Sequence, residues 1–305
     1  MKNKTVNIPA SVHAKLKNKA DEAKQPFQEI LQYYGMERFL YRLSRSRYSN
    51  DFVLKGGLMI YGLGIPMRRP TRDIDFLGNM DETMENISSI IRDVLSSSVP
   101  DDGIKFDIDT LRILETQIDA NRNGLRVTFT GFLGNARIPM QIDIGYSDEL
   151  ATTALDIDYP VLLVNMEAPR LRGYPPEAIV SEKLHAIVHF AELNSRWKDY
   201  YDIWLISNTF EFESHKLEEA IQITFNTRAT KIPSVIPPGL TDDFSSVNQE
   251  NWKSFLYKNR FQHNDIEEFK SITSKIWHFL EYPLHEIKSN KQVKGKHWFP
   301  GKGWS

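Results

Sequence analysis

The tripeptide Asp73-Ile74-Asp75 sets two carboxylates one residue apart. On a strand, successive side chains alternate between faces, so both acids point the same way, roughly 7 Å apart, while Ile74 and Phe76 turn into a core. Two carboxylates on one face repel each other unless a cation lies between them. Hard oxygen donors at this spacing suit Mg²⁺, an ion that keeps waters and substrate phosphates in its remaining positions. The competing reading is a pair of exposed aspartates on an edge strand. In Met140-Gln-Ile-Asp-Ile144, Asp143 turns away from the apolar face made by Met140, Ile142 and Ile144. If its strand neighbours that of Asp75, three aspartates on two strands can hold two Mg²⁺ ions and support in-line phosphoryl chemistry. Otherwise Asp143 simply faces solvent.

Other residues could serve the same chemistry. Lys55-Gly56-Gly57 falls between a candidate strand and a candidate helix, where glycine lets backbone approach a phosphate closely. Arg68, Arg69 and Arg72 follow and could meet polyphosphate charge, or could line a solvated loop. Lys183 lies within an apolar stripe of Val180, Leu184, Ile187, Val188 and Ala191. A charge placed there needs a partner unless it snorkels to solvent. In Lys198-Asp199-Tyr-Tyr-Asp202 the two aspartates share a helix face, and Asp202 could answer Lys183. His185 and His189 stand four apart, but no glutamate lies between them to act as a base, and they read as ordinary helix residues. From Ile287 to Ser305 the chain carries Lys288, Lys291, Lys294, Lys296 and Lys302 with Trp298, Phe299 and Trp304 interleaved. Such a tail could neutralise phosphates and stack on bases, or could be merely solvated.

Positioning these groups needs a mixed α/β frame. Residues 11–48 read as helical with a break near Gly35. A strand at Asp51–Leu54, a helix at Leu58–Leu63, a strand at Asp73–Leu77 and a helix over 83–97 follow. Strands at Leu111–Ile118, Leu125–Phe132 and Ile138–Ile144 come next, the first two joined by turn chemistry at Asn121–Gly124. Beyond Tyr174-Pro175-Pro176 the pattern turns helical over 177–193, 198–208, 214–226, 249–258 and 264–280, with an irregular connection at 230–247. The expected domains are therefore 1–173, N-terminal helices plus a mixed sheet, and 174–305, an α-helical domain with a basic tail. The 305 residues can bury a full core without staples, and zero cysteines exclude disulfides, thiolate metal sites and cysteine nucleophiles. A net charge of −2, from 38 basic and 40 acidic residues, excludes a bulk electrostatic pull toward nucleic acid. The N-terminus has no apolar core of secretory length, and no apolar run approaches the ~20 residues of a membrane span. The expectation is a cytoplasmic enzyme.

A strand, Gly-Gly at a helix start, Asp-x-Asp and a later strand aspartate is the motif order of the nucleotidyltransferase superfamily. More narrowly, the chain resembles the AbiEii family, the nucleotidyltransferase toxins of bacterial toxin–antitoxin and phage-defence systems. The matching pieces are Phe52-Val-Leu-Lys-Gly-Gly57, Arg69-Pro-Thr-Arg-Asp-Ile-Asp-Phe76, Gln141-Ile-Asp143, Tyr174-Pro-Pro-Glu177, Glu182-Lys-Leu184 and Lys198-Asp-Tyr-Tyr-Asp202. The resemblance implies an α+β fold: a mixed sheet flanked by helices, then a helical domain. It implies Mg²⁺, an NTP donor, transfer of NMP with loss of pyrophosphate to an RNA acceptor such as the 3′ end of tRNA, and a cognate antitoxin. On it, Asp73 and Asp75 are metal ligands, and Lys183 and Asp202 are the family's lysine and final aspartate. Gly56-Gly57 departs from the Gly-Ser of many superfamily members, which removes a hydroxyl contact to phosphate. In the resulting assignment Asp73, Asp75 and Asp143 hold metal, Asp143 helps deprotonate the acceptor, and Lys183 and Asp202 complete the catalytic set. Lys55, Gly56, Gly57, Arg69, Arg72 and Lys183 meet the nucleotide. The alternatives are a catalytically degenerate binding module and a two-metal nuclease.

Overall fold

A computed structural model describes residues 7–66, 69–119, 122–146, 154–261, 267–289 and 295–305. The chain divides into two compact units, Met1–Gly173 and Tyr174–Ser305.

The first unit opens with helices α1 (Ile8–Ala23) and α2 (Phe27–Arg45). The break between them falls at Lys24–Pro26, not near Gly35 as the sequence suggested. Lys24 adopts a left-handed φ of 51° and closes α1, and Pro26 starts α2. Gly35 lies inside α2, and the sheet passes so near that a Cβ there would lie 2.8 Å from Ile138 Cγ2. The glycine reports close packing of helix on strand. α2 is buried from Ile30 through Leu43, charged residues included. Those charges find partners: the Arg42 fork grips Asp102 at 2.7 and 3.1 Å, and Glu37 accepts the Leu162 N–H at 2.6 Å beside Arg38.

Beneath α2 runs a seven-stranded mixed sheet in the order β3-β4-β5-β2-β1-β7-β6. Its elements in chain order are β1 (Phe52–Lys55), α3 (Gly56–Gly62), β2 (Ile74–Gly78), α4 (Met84–Leu95), β3 (Ile104–Asp119), β4 (Arg122–Leu133), β5 (Ala136–Tyr146), β6 (Leu155–Asp158) and β7 (Arg170–Gly173). β2 pairs with β5, and β1 with β7, in parallel; the remaining pairings are antiparallel. This is the mixed sheet flanked by helices that the sequence led us to expect. β6 and β7 are absent from the sequence reading, since each is short and carries two charges on alternate positions. One sheet face is the core: Leu54, Ile74, Phe76, Ile142 and Ile144 are each at most 1% exposed. Alternation therefore delivers their neighbours Lys55, Asp75 and Asp143 to the opposite face.

The second unit is built from helices α5 (Pro176–Phe190), α6 (Trp197–Ser207), α7 (Ser214–Thr227), α8 (Asp242–Val247), α9 (Gln249–Lys258) and α10 (Phe269–Ser289). α8 lies inside the stretch read as irregular, and α10 continues through Pro283 rather than stopping at residue 280. The tail reading is corrected more deeply. β9 (His297–Phe299) joins β8 (Phe212–Glu213) and β10 (Gly303–Trp304) in a small sheet. Trp298 is buried and its indole N–H donates to the Ser207 carbonyl at 2.7 Å. Trp304 stacks on Phe279 and donates to its carbonyl at 2.8 Å. These aromatics are packing residues of the second unit, not a free base-stacking arm. Lys291 and Lys294 lie outside the described residues. No helix among the described residues is long and apolar enough to cross a membrane.

Candidate active site

The register of the sheet writes a row of charges across four neighbouring strands. Lys55 stands opposite Asp75, Asp75 beside Asp143, and Asp143 opposite Arg126. Directly paired residues share a face, so the row reads plus, minus, minus, plus. Asp73, one residue ahead of β2, joins from the same side. Asp73, Asp75 and Asp143 each offer a carboxylate oxygen, and these oxygens lie within 4.8 Å of one another. All three acids are half-buried. An all-carboxylate donor set of this size fits a hard divalent cation such as Mg²⁺ and is ill-suited to softer metals.

Two devices hold the acids in place. Gly56, at φ +67°, sits so close under Asp75 that an added Cβ would lie 2.0 Å from its Oδ2; both the backbone conformation and the space demand glycine. A Cβ on Gly57 would lie 2.6 Å from Thr71 Oγ1 and 3.2 Å from Arg69 Nη2, so Thr71 and Arg69 lean over the start of α3. Tyr33 fixes their loop: its hydroxyl donates to the Arg69 carbonyl at 3.0 Å and accepts the Thr71 N–H at 2.9 Å. Burial pushes the Tyr33 phenol above its ordinary value, which keeps it a neutral donor. The structure thus brings Lys55, Gly56, Gly57 and Arg69 to the edge of the triad. Arg72 is exposed on the approach to β2, and Arg68 lies outside the described residues.

Arg126 was not foreseen. Its Nε and Nη2 reach Asp143 Oδ1 and Oδ2 at 2.8 and 2.9 Å, and Gln141 Nε2 adds a third hydrogen bond at 3.2 Å. The hydrogen bonds to Asp143, and after them the charges of Asp143, Asp73 and Asp75, hold this guanidinium more firmly protonated than usual, against an opposing effect of burial. A sequence signal existed. β4 and β5 are joined by a two-residue loop whose first residue, Gly134, has φ +59°, as a tight hairpin turn requires. Counting inward from Leu133↔Ala136 leads to Arg126↔Asp143.

The second unit holds a different ion cluster. Lys183 Nζ lies 2.8 Å from Asp199 Oδ1 and 2.7 Å from Asp202 Oδ2, and Arg196 Nε lies 2.6 Å from Asp199 Oδ2. The pairing of Lys183 with Asp202 is present, and Asp199 is a second partner. Burial alone would raise Asp199; the charges of Lys183 and Arg196 and their hydrogen bonds outweigh it and hold the carboxyl down to about 2. His185 is engaged by Arg228 at Nδ1 and Thr230 at Nε2, and Arg228 continues to Glu182. It is a helix-to-loop connector.

A mixed sheet here collects three acids on adjacent strands over a glycine pair, a donor set that could hold a divalent cation. The model of one family, the nucleotidyl transferase AbiEii toxin of type IV toxin–antitoxin systems, matches residues 38–281. The chain belongs to that family, and membership carries with it nucleotidyltransferase chemistry and an antitoxin counterpart. Two solved structures from Helicobacter pylori are similar. One, provisionally assigned as a nucleotidyltransferase, is 15% identical, with 87% of this chain and 99% of that chain covered and a TM-score of 0.47. The other, JHP933, is 14% identical, with 86% and 94% covered and the same TM-score of 0.47. No curated protein matches the chain.

Proposed function

We propose that the protein is a Mg²⁺-dependent nucleotidyltransferase that moves NMP from an NTP to an RNA hydroxyl, with the 3′ end of tRNA as the acceptor, and so blocks translation in the cytoplasm. The observation that carries this reading is the convergence of Asp73, Asp75 and Asp143, whose carboxylate oxygens lie within 4.8 Å of one another. In the transfer, the acceptor oxygen bonds to the α-phosphorus. The bond from that phosphorus to the oxygen bridging to the β-phosphate breaks, and pyrophosphate departs with the electron pair. Asp143 is the proposed acceptor of the hydroxyl proton. Asp73, Asp75 and Asp143 would hold Mg²⁺, which supplies charge stabilisation for the phosphoryl oxygens. Lys55, Arg69 and Arg72 are the proposed partners of the triphosphate, with Gly56 and Gly57 leaving room for it.

Lys183 and Asp202 enter the catalytic set through the family resemblance alone. Their own geometry supports a scaffolding role, since both are committed to a buried ion cluster within the second unit.

The test is mass spectrometry of total tRNA after incubation with each NTP separately. Addition of nucleotide mass at the 3′ end, with pyrophosphate released, supports the proposal. RNA that is shortened instead would make the triad a nuclease, and unchanged RNA with every NTP would leave a binding module.

A further inference from the structure

The triad is not an array of three equivalent acids. Asp73 and Asp75 come from one segment, and the glycine beneath Asp75 fixes its position. Asp143 differs: both of its oxygens are gripped by the Arg126 fork. The Arg126 side chain is 42% exposed while Asp143 is 17% exposed. The guanidinium therefore approaches from the open side, on a long stem able to swing outward into solvent. A divalent cation drawn to Asp143 meets a resident positive charge already in fork geometry with the same two oxygens.

From this geometry we infer that Arg126 is the resident counter-ion of Asp143, a positioning residue that holds the third carboxylate in register and must yield it before a divalent cation can use it. The inference rests on the reading of the triad as a metal centre and deepens it. Asp143 is the corner whose use by a cation requires the fork to open. Arg126 stabilises the cluster by offsetting the mutual repulsion of its carboxylates. It lowers cation affinity for the same reason.

The experiment is titration of the full-length protein with Mn²⁺, without nucleotide, reading free Mn²⁺ by electron paramagnetic resonance. The proteins are the parent, Arg126→Gln, Arg126→Lys and Asp75→Asn. Removing a unit charge a few ångströms from the ion should tighten Mn²⁺ binding by about tenfold in Arg126→Gln. Arg126→Lys keeps the charge without the fork and should fall between that variant and the parent. In chelator, the Arg126→Gln unfolding midpoint should drop, and Mn²⁺ should raise it by more than it raises the parent's. Should Arg126→Gln not fold, Arg126→Lys alone decides, by binding Mn²⁺ more tightly than the parent. Equal or weaker Mn²⁺ binding in the Arg126 variants, with Asp75→Asn abolishing it, overturns the counter-ion role and leaves the metal centre standing. No Mn²⁺ binding by the parent or any variant overturns the metal centre and this inference together.

Discussion

The two ion clusters of this chain solve opposite problems. In the second unit, Lys183 and Arg196 face Asp199 and Asp202: two cations against two anions, with both aspartates nearly fully buried. Every charge there has a counter-charge at hydrogen-bond distance, which is what allows the two aspartates to be buried at all. In the first unit, Asp73, Asp75 and Asp143 crowd together half-buried, and the Arg126 fork engages Asp143. A balanced cluster around buried aspartates shapes the fold. An acid-rich, half-open cluster carries like-charge repulsion that a bound cation would relieve. The difference teaches that a charge in an apolar pattern, such as Lys183, and a charge pair on a strand face, such as Asp73 and Asp75, are separate signals even where a family resemblance joins them.

That contrast can be broken by experiments that read activity and stability side by side. The largest effect expected is on transfer by Asp75→Asn. Losing one member of the donor set removes several kcal/mol of transition-state stabilisation, a rate loss of about a thousandfold. The urea midpoint in chelator should hold or rise, because a like-charge contact has been relieved. A coupled loss of stability would place the triad with the scaffold. Lys183→Met should do the reverse: two buried carboxylates lose their shared ammonium, lowering stability by about 3–5 kcal/mol. An unchanged urea midpoint for this variant would show that the second cluster does not hold its unit together.

The pH dependence sharpens the same point. Asp199 has a folded-state value of about 2 against an ordinary 3.8, so between those values the unfolded chain binds the extra proton. Its contribution is complete above the ordinary value and is lost as pH falls through about 2, an effect of about 2 kcal/mol. Urea unfolding from pH 5 down to 2 should show this slope in the parent and lack it in Asp199→Asn; parallel curves would contradict it. The smallest effect concerns the tail. Trp298→Phe deletes one buried hydrogen bond and should lower stability by about 1 kcal/mol, with RNA affinity unchanged at every salt concentration. A fall in RNA affinity would return Trp298 to a base-stacking role.

Much of the site was legible because it depends on period two. Asp73-Ile74-Asp75 and Ile142-Asp143-Ile144 announce their faces directly, and the buried isoleucines are 0% exposed. The helices of the second unit were legible from apolar spacing, with ends displaced where Pro283 continues a helix instead of stopping it. What stayed hidden depends on partners distant in sequence. Arg126 becomes a site residue only through hairpin register, Gly35 serves close packing only because Ile138 passes beside it, and Trp298 is buried only because β9 finds β8. β6 and β7 are too short and too charged to show a pattern, and acquire strand geometry by pairing with one another and with β1.

The most direct test of the central claim is incubation of the purified full-length protein with α-phosphate-labelled NTPs and total RNA, in Mg²⁺ and in chelator, beside Asp75→Asn. The account predicts label transferred to RNA in Mg²⁺ by the parent alone, with pyrophosphate released in equal amount. Label transfer that survives chelator or the loss of the Asp75 carboxylate, or RNA left unlabelled by every NTP in Mg²⁺, would contradict it.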